Sequence, residues 1–181
     1  MGNAKKYILT SITLGLIAAS GALLIAGTNM ITKDRIAENE QKSINNGIVT
    51  IFGDPYFSND DYDVDNYQYV KHVYVVKNIL SSFSTPDGYA FLTTGSNNYG
   101  KISLIIGFDR SCVYRGLSVI ANEQSFASTL KKGYLDEIKD GNKTIDDVSV
   151  SCGATYGAKL VREMVNEAKK AAGDLLGANN G

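Results

Sequence analysis

The run Ser151-Cys152-Gly153-Ala154-Thr155 stands directly before a segment with the pattern of an amphipathic helix. It would place the Thr155 hydroxyl at the start of that helix, on a turn that Gly153 allows to be tight. The first turn of a helix has unpaired backbone N–H groups and a partial positive charge, and both favour a phosphate group. The run therefore suits a phosphate ester on Thr155. The alternative is that Thr155 serves only as the N-cap and that Gly153 only marks the turn.

Other residues with chemical potential form no complete site in the sequence. Asp61-x-Asp63-x-Asp65 resembles the start of a calcium-binding loop, but an EF-hand needs Gly at its sixth position and Glu at its twelfth. This chain has Asn66 and His72 there, and His72 is its single histidine. We therefore expect no metal site, and no catalytic triad stands out. The two cysteines, at positions 112 and 152, either form a disulfide or are two buried thiols.

The N-terminal region contains a long uncharged stretch. No charged residue occurs between Lys6 and Lys33, and about 20 mainly apolar residues are enough to span a membrane. A cleaved signal peptide also begins with basic residues, but its apolar core is roughly 7–15 residues long and ends at a small-x-small site. Here apolar residues continue past Ser20-Gly21-Ala22, so we expect an uncleaved tail and anchor over residues 1–32.

Charge does not decide the orientation of this anchor. Lys5 and Lys6 lie on one side, and Lys33 and Arg35 lie on the other, so the basic residues balance. The short N-terminal tail most simply stays in the cytoplasm. We therefore expect the main domain to be extracytoplasmic.

Beyond the anchor, about 150 residues are enough for one domain with a hydrophobic core. The chain has 18 Lys and Arg against 19 Asp and Glu, and two of the lysines lie in the N-terminal tail. The remainder is slightly acidic, unlike the basic face typical of nucleic-acid-binding proteins. We expect no nucleic-acid partner, a helical stalk over residues 33–54 and a single domain over residues 55–181.

Hydrophobic periodicity predicts the elements that must position Thr155. A helical pattern in the stalk is expected to bend or end at Asn45-Asn46-Gly47, and an acidic, Tyr-rich loop is expected over Asp54–Asn66. The predicted strands are Lys71–Lys77, Gly88–Thr94, Lys101–Asp109 and Val113–Ile120, the last two as a hairpin, and the predicted helices are Phe126–Lys139 and Ala158–Leu176. The order of strands, helix, short strand and helix indicates an α+β fold with a mainly antiparallel sheet and flanking helices, preceded by one transmembrane helix.

Five short motifs follow one another along the domain. In chain order they are Gly88-Tyr89-Ala90-Phe91, Asn98-Tyr99-Gly100-Lys101-Ile102, Ile106-Gly107-Phe108-Asp109, Glu123, and Val150-Ser151-Cys152-Gly153-Ala154-Thr155-Tyr156. Their order resembles the FMN-binding domain of the G subunit of Rnf electron-transport complexes, which is related to the C subunit of sodium-pumping NADH:quinone reductase. The single N-terminal anchor is similar as well, and the resemblance extends to about Ala168.

The resemblance implies a covalent cofactor on Thr155. In that family a flavinyltransferase joins the phosphate of FMN to a threonine hydroxyl through a phosphoester, and Thr155 is the matching threonine. The other cofactor-binding residues expected are Cys152, Gly153, Ala154 and Glu123, together with Tyr89, Tyr99 and Tyr156. These three tyrosines either pack near the flavin ring or belong to the core. Helix-start geometry adds the backbone N–H groups of Tyr156 to Ala158 as candidates for holding the phosphate.

The chain departs from the family pattern at several positions. Ser149 stands where the family has Asp, and Cys152 stands where it has Ser or Thr. Gly157 and Ala158 replace a Ser/Thr pair that follows the threonine. In the preceding loop, Glu123-Gln124-Ser125-Phe126 replaces Glu-Thr-Pro-Gly. We expect Cys152 to act as a small substitute for the usual hydroxyl residue.

The resemblance implies a membrane-anchored flavoprotein that carries electrons as a subunit of an ion-translocating Rnf-type complex. Such a subunit would have no complete catalytic activity alone. Its partners would be other membrane subunits and, for maturation, a flavinyltransferase, and it would cross the cytoplasmic membrane once. Two alternatives remain open: a flavin-free anchored extracytoplasmic module for assembly or binding, and a stand-alone flavinylated extracellular electron carrier.

Overall fold

The fold consists of a long N-terminal helix, a five-stranded sheet and C-terminal helices. The computed structural model describes residues 2–53, 56–60, 62–77 and 86–178. The helices are α1 (Gly2–Phe52), α2 (Ala127–Leu130), α3 (Asp136–Ile138) and α4 (Thr155–Ala178), with a π-helical turn at Lys131–Leu135 between α2 and α3. The strands are β1 (Tyr56–Asp60), β2 (Val70–Lys77), β3 (Gly88–Asn97), β4 (Gly100–Asp109) and β5 (Tyr114–Asn122). They pair antiparallel in the order β1-β2-β3-β4-β5, which confirms the predicted α+β class.

Most predicted elements are present, but two predictions about strands are wrong. The predicted hairpin is β4–β5. However, β1 lies inside the stretch predicted as a loop, because its polar sequence has no apolar run and it is a strand through its pairing with β2. The short strand expected before α4 does not form, since residues 141–154 contain neither strand nor helix.

The chain forms two compact units, Met1–Lys42 and Ser43–Gly181. In the first unit, the described side chains of α1 are almost all exposed, including large apolar ones such as Leu16, Leu23 and Ile25. By length and composition, α1 is able to cross a membrane. The boundary of the second unit falls inside the segment that we expected to be a separate stalk.

The last turns of α1 belong to the second unit and cover one face of the sheet. Ile44 and Ile48 are buried there in a cluster with apolar side chains of β2, β3 and β4. The helix continues through Asn45-Asn46-Gly47, so the predicted bend is wrong. Burial of the two isoleucines outweighs the low helix propensity of the two asparagines and the glycine. A Cβ on Gly47 would lie 3.1 Å from Ile120 Cδ1, so glycine also lets α1 lie close to β5.

The opposite face of the sheet carries the main core. Phe91, Leu104 and Ile106 project from β3 and β4 toward the apolar stripe of α4, which contains Leu160, Val161, Met164, Val165 and Ala168. Because both faces of the sheet are covered, β4 is buried at every position from 102 to 108. This packing of α4 on the sheet holds the start of α4 in a fixed position relative to the β3–β4 turn.

Side chains from the loop before β2 fix the position of α4. Tyr67 donates a hydrogen bond to Asp174 (2.9 Å), and Tyr69 donates one to Glu163 (3.0 Å). Glu167 accepts hydrogen bonds from the backbone N–H groups of Tyr69 and Val70. Burial, followed by these carboxylates, raises the pKa of both tyrosines above 10, so the phenols stay protonated donors at neutral pH.

Candidate functional site

Thr155 is the first residue of α4. The carbonyl of Ala154 accepts the first helical hydrogen bond, from Ala158 (3.0 Å), which makes Ala154 the N-cap. The interpretation of Thr155 as the N-cap is therefore wrong. Gly153 has φ +80°, a left-handed conformation that brings the chain into the helix. Thr155 is half-buried, and among the described residues no hydrogen bond involves its hydroxyl.

The first turn of α4 offers backbone donors beside that hydroxyl. The N–H groups of Thr155, Tyr156 and Gly157 precede the first helical bond and have no partner within the helix. The Ala158 N–H is already used by Ala154, so the expectation that it helps to hold a phosphate is wrong. Two of the three predicted donors, those of Tyr156 and Gly157, stay available.

A pocket of about 240 Å³ opens at this helix start. Its walls come from three parts of the chain: the β3–β4 turn, the segment before α2 with α2 itself, and the first turn of α4. The lining residues are Tyr99, Gln124, Phe126, Leu130, Gly153, Ala154, Thr155, Tyr156 and Gly157. The volume lies below the roughly 300–1,000 Å³ of a complete ligand pocket, so it suits part of a ligand that stays partly exposed.

Three aromatic side chains form the rim of this pocket. Tyr99 and Tyr156 are stacked, with ring centroids 5.3 Å apart and planes 25° apart. Phe126 lies 6.1 Å from Tyr99. These rings are unusually exposed, at 63 % for Tyr156, 53 % for Phe126 and 37 % for Tyr99. They therefore offer flat apolar surface to a planar group.

Hydrogen bonds hold the rim in place. Asn97 accepts from the Tyr99 N–H (2.9 Å) and donates to the Tyr156 carbonyl (3.2 Å), so it ties the β3–β4 turn to α4. Ser125 donates through both its N–H (2.7 Å) and its hydroxyl (3.1 Å) to the Tyr99 carbonyl. Both tyrosines are thereby positioned by groups distant in sequence.

Five of the eight predicted site residues line the pocket, and three do not. Tyr89 is buried in the core, 7 % exposed, opposite Phe108. It precedes Asn97 by eight positions of β3, roughly 26 Å at the usual strand rise. Glu123 is exposed, and its backbone N–H donates a hydrogen bond to the carbonyl of Lys101. Cys152 is half-buried and packs against the main core.

Apart from Gly157, which was expected only as a backbone donor, four contributors to the pocket were not among the predicted site residues. They are Gln124, Phe126 and Leu130, which line it, and Asn97, which links its walls. Gln124 and Phe126 lie in the segment Glu123–Phe126, which we compared with the Glu-Thr-Pro-Gly loop of the family that the domain resembles, and that comparison was the available signal. No sequence pattern marks Leu130 or Asn97.

Arg162 and Tyr134 form a partly buried polar cluster next to the segment that precedes Thr155. Arg162 of α4 donates from Nη2 to the carbonyls of Ile145 (2.5 Å) and Val148 (2.9 Å). Among the described residues, Arg162 Nε and the Tyr134 hydroxyl are buried without a hydrogen-bond partner. Burial raises the pKa of Tyr134, and the Arg162 guanidinium opposes that rise. Arg162 thereby fixes the irregular segment that leads into Thr155.

The cysteines do not form a disulfide in this structure, and both are half-buried free thiols. Burial, with a contribution from Asp109, raises the pKa of Cys112. Within the described ranges, no group of three or more His, Cys, Asp or Glu side chains is arranged to hold a metal ion. The pocket chemistry thus rests on hydroxyl, amide, backbone and aromatic groups.

Comparison with known families bears on the N-terminal region. Residues 1–47 match the family model of the RnfG N-terminal region. This match supports an RnfG-like subunit, and with the apolar α1 it indicates a single-pass membrane protein with partners in a membrane complex. The match ends before the sheet, so Thr155 and its pocket lie outside it. No curated protein matches the chain.

Proposed function

We propose that this RnfG-like protein carries FMN, bound covalently through its phosphate to Thr155, and transfers electrons as a subunit of an Rnf-type complex. The observation that carries the proposal is Thr155, which lines an aromatic pocket at a helix start and whose hydroxyl makes no hydrogen bond among the described residues. The match of residues 1–47 to the RnfG N-terminal region supports only the membership of an Rnf-type complex.

The residues of the pocket suit the two ends of an FMN molecule. A phosphate on Thr155 would lie at the positive end of α4, beside the N–H groups of Tyr156 and Gly157. The exposed rings of Tyr99 and Phe126 offer an apolar surface for a flat ring. When bound, the isoalloxazine ring would supply the redox chemistry, and the protein would supply attachment and orientation.

The partial exposure of the rim is consistent with electron transfer. A pocket of about 240 Å³ leaves part of the flavin outside, where a partner's redox centre can approach it. Covalent attachment suits an extracytoplasmic site, because FMN lost there is not readily replaced.

Replacement of the acceptor tests this proposal. The full-length chain is co-produced with a flavinyltransferase, and membranes are run on a denaturing gel that is scanned for flavin fluorescence. The wild-type chain should fluoresce, Thr155→Ala should not, and Thr155→Ser should be partly labelled because its hydroxyl remains. Thr129→Ala is the matched control: Thr129 lies beside Gly153, and its loss should leave the band unchanged.

Two results would contradict the proposal. A fluorescent Thr155→Ala band would place the flavin elsewhere. A wild-type chain without flavin would favour the flavin-free assembly or binding module.

The orientation of the domain is a separate part of the proposal. We infer that the domain after Lys33 is extracytoplasmic and that the tail before Lys6 is cytoplasmic. Protease added to intact protoplasts should then digest the domain while cytoplasmic markers survive. Protection of the domain until the membrane is broken would reverse the orientation.

A further inference from the structure

Gln124 is a buried amide in the wall of the pocket. Its side chain lines the pocket, and the residue is only 7 % exposed. Its backbone N–H donates to the Asn122 side chain (3.2 Å), and its carbonyl accepts from the Ala127 N–H (3.0 Å). The side-chain Nε2 donates to the Gly100 carbonyl. The two backbone bonds fix the position of the residue, and the bond from Nε2 orients its side-chain amide.

The other end of this amide, Oε1, has no hydrogen-bond partner among the described residues. It lies beside the first turn of α4, since a Cβ built on Gly157 would be 3.4 Å from it. Oε1 is not one of the fully buried atoms without a partner, which among the described residues are the Tyr134 hydroxyl and Arg162 Nε. It therefore keeps accessible surface in the pocket and is open to a donor. A ligand that brings a hydroxyl or N–H group to this point would satisfy it.

The position of Oε1 determines which part of a bound ligand it can contact. Thr155, Gly157 and Gln124 line the same pocket, so Oε1 lies at the space into which a group attached to the Thr155 hydroxyl would extend. The aromatic side chains Tyr99 and Phe126 form the rim instead. Glycine at position 157 adds no side chain in front of the amide, where the family pattern has a hydroxyl residue.

We propose that Gln124 Oε1 accepts a hydrogen bond from a hydroxyl of the polyol chain that joins the phosphate on Thr155 to the flavin ring. This inference rests on the proposed function. It makes Gln124 a specificity-determining residue, which favours a flavin with the chain over one without it.

Binding of free flavins tests the inference apart from covalent attachment. The full-length Thr155→Ala chain in detergent is titrated with riboflavin, which carries the polyol chain, and with lumiflavin, which carries a methyl group instead. Adding Gln124→Met should weaken riboflavin binding about tenfold, equivalent to ~1.4 kcal/mol, and leave lumiflavin binding unchanged. Gln68→Met, at an exposed glutamine outside the pocket, is the matched control and should change neither.

The outcomes separate the two proposals. Unchanged riboflavin affinity, or equal losses for riboflavin and lumiflavin, would overturn the role of Gln124 and leave the flavin site standing. No binding of either flavin to the Thr155→Ala chain would contradict the proposed function itself. If Gln124→Met lowers the melting temperature, titrations well below that temperature decide: loss of riboflavin affinity with lumiflavin affinity retained supports the inference, and retained riboflavin affinity overturns it.

Discussion

Replacing Arg162 by methionine is expected to destabilise the domain by about 2–4 kcal/mol. Arg162 Nη2 donates to the carbonyls of Ile145 and Val148, two residues that are themselves buried. A hydrogen bond to a charged group contributes roughly 1.5–3 kcal/mol, and a buried acceptor left unpaired costs about 1–3 kcal/mol. One nitrogen makes both bonds, so the two effects do not add fully. Methionine keeps much of the aliphatic bulk, which limits the loss of packing.

Urea unfolding of the full-length chain in detergent, followed by circular dichroism, measures this effect. The unfolding midpoint should fall while the m-value stays unchanged, since the same surface is exposed on unfolding. Arg110→Met is the matched control. Arg110 is exposed in the β4–β5 turn, and its replacement should change the free energy of unfolding by less than about 0.5 kcal/mol. An Arg162→Met midpoint equal to that of Arg110→Met would refute the reasoning that Arg162 fixes the segment before Thr155.

Three further changes have defined outcomes. Gly100 has φ +131°, and a Cβ there would lie 2.2 Å from a backbone oxygen, so Gly100→Ala should lower stability by about 2–4 kcal/mol in thermal melts. The control is Gly173→Ala, in open space on α4, which should be neutral or slightly stabilising. Equal effects of the two substitutions would contradict the argument. Burial raises the pKa of Tyr114 above its ordinary value of 10, so the folded state holds this proton more tightly and the free energy of unfolding should fall as the pH rises above 10. Tyr114→Phe should make that fall shallower in urea titrations at pH 9 to 12, and an unchanged slope would exclude Tyr114 as its source. Cys152→Ser should keep or improve flavin labelling of Thr155 on denaturing gels, because Cys152 lies outside the pocket; loss of label with the fold intact would assign it a direct role.

The sheet and α4 were predictable because their signals are local. β2 to β5 contain apolar runs bounded by turn residues, and α4 carries a long apolar stripe. β1 was missed because its stability comes from pairing with β2 and not from its own composition. The bend predicted at Asn45-Asn46-Gly47 was wrong for a similar reason, since burial of Ile44 and Ile48 on the sheet overrides local propensity.

The candidate site was predictable only in part. The position of Thr155 at the start of a helix follows from the run that precedes it. Tyr89 was predicted near the flavin but lies in the core, because the order of motifs along the chain does not show which end of β3 lies at the pocket. Asn97 and Gln124 join segments that are up to 59 residues apart. Such contacts depend on the tertiary fold, and no spacing in the sequence encodes them.

The most direct test of the central claim is the mass of the peptide that contains Thr155, from chain purified out of its native membranes. The covalent assignment predicts a gain of one FMN less one water, located on Thr155 by fragmentation. An unmodified Thr155 peptide from fully active membranes, or the same gain located on another residue, would contradict it.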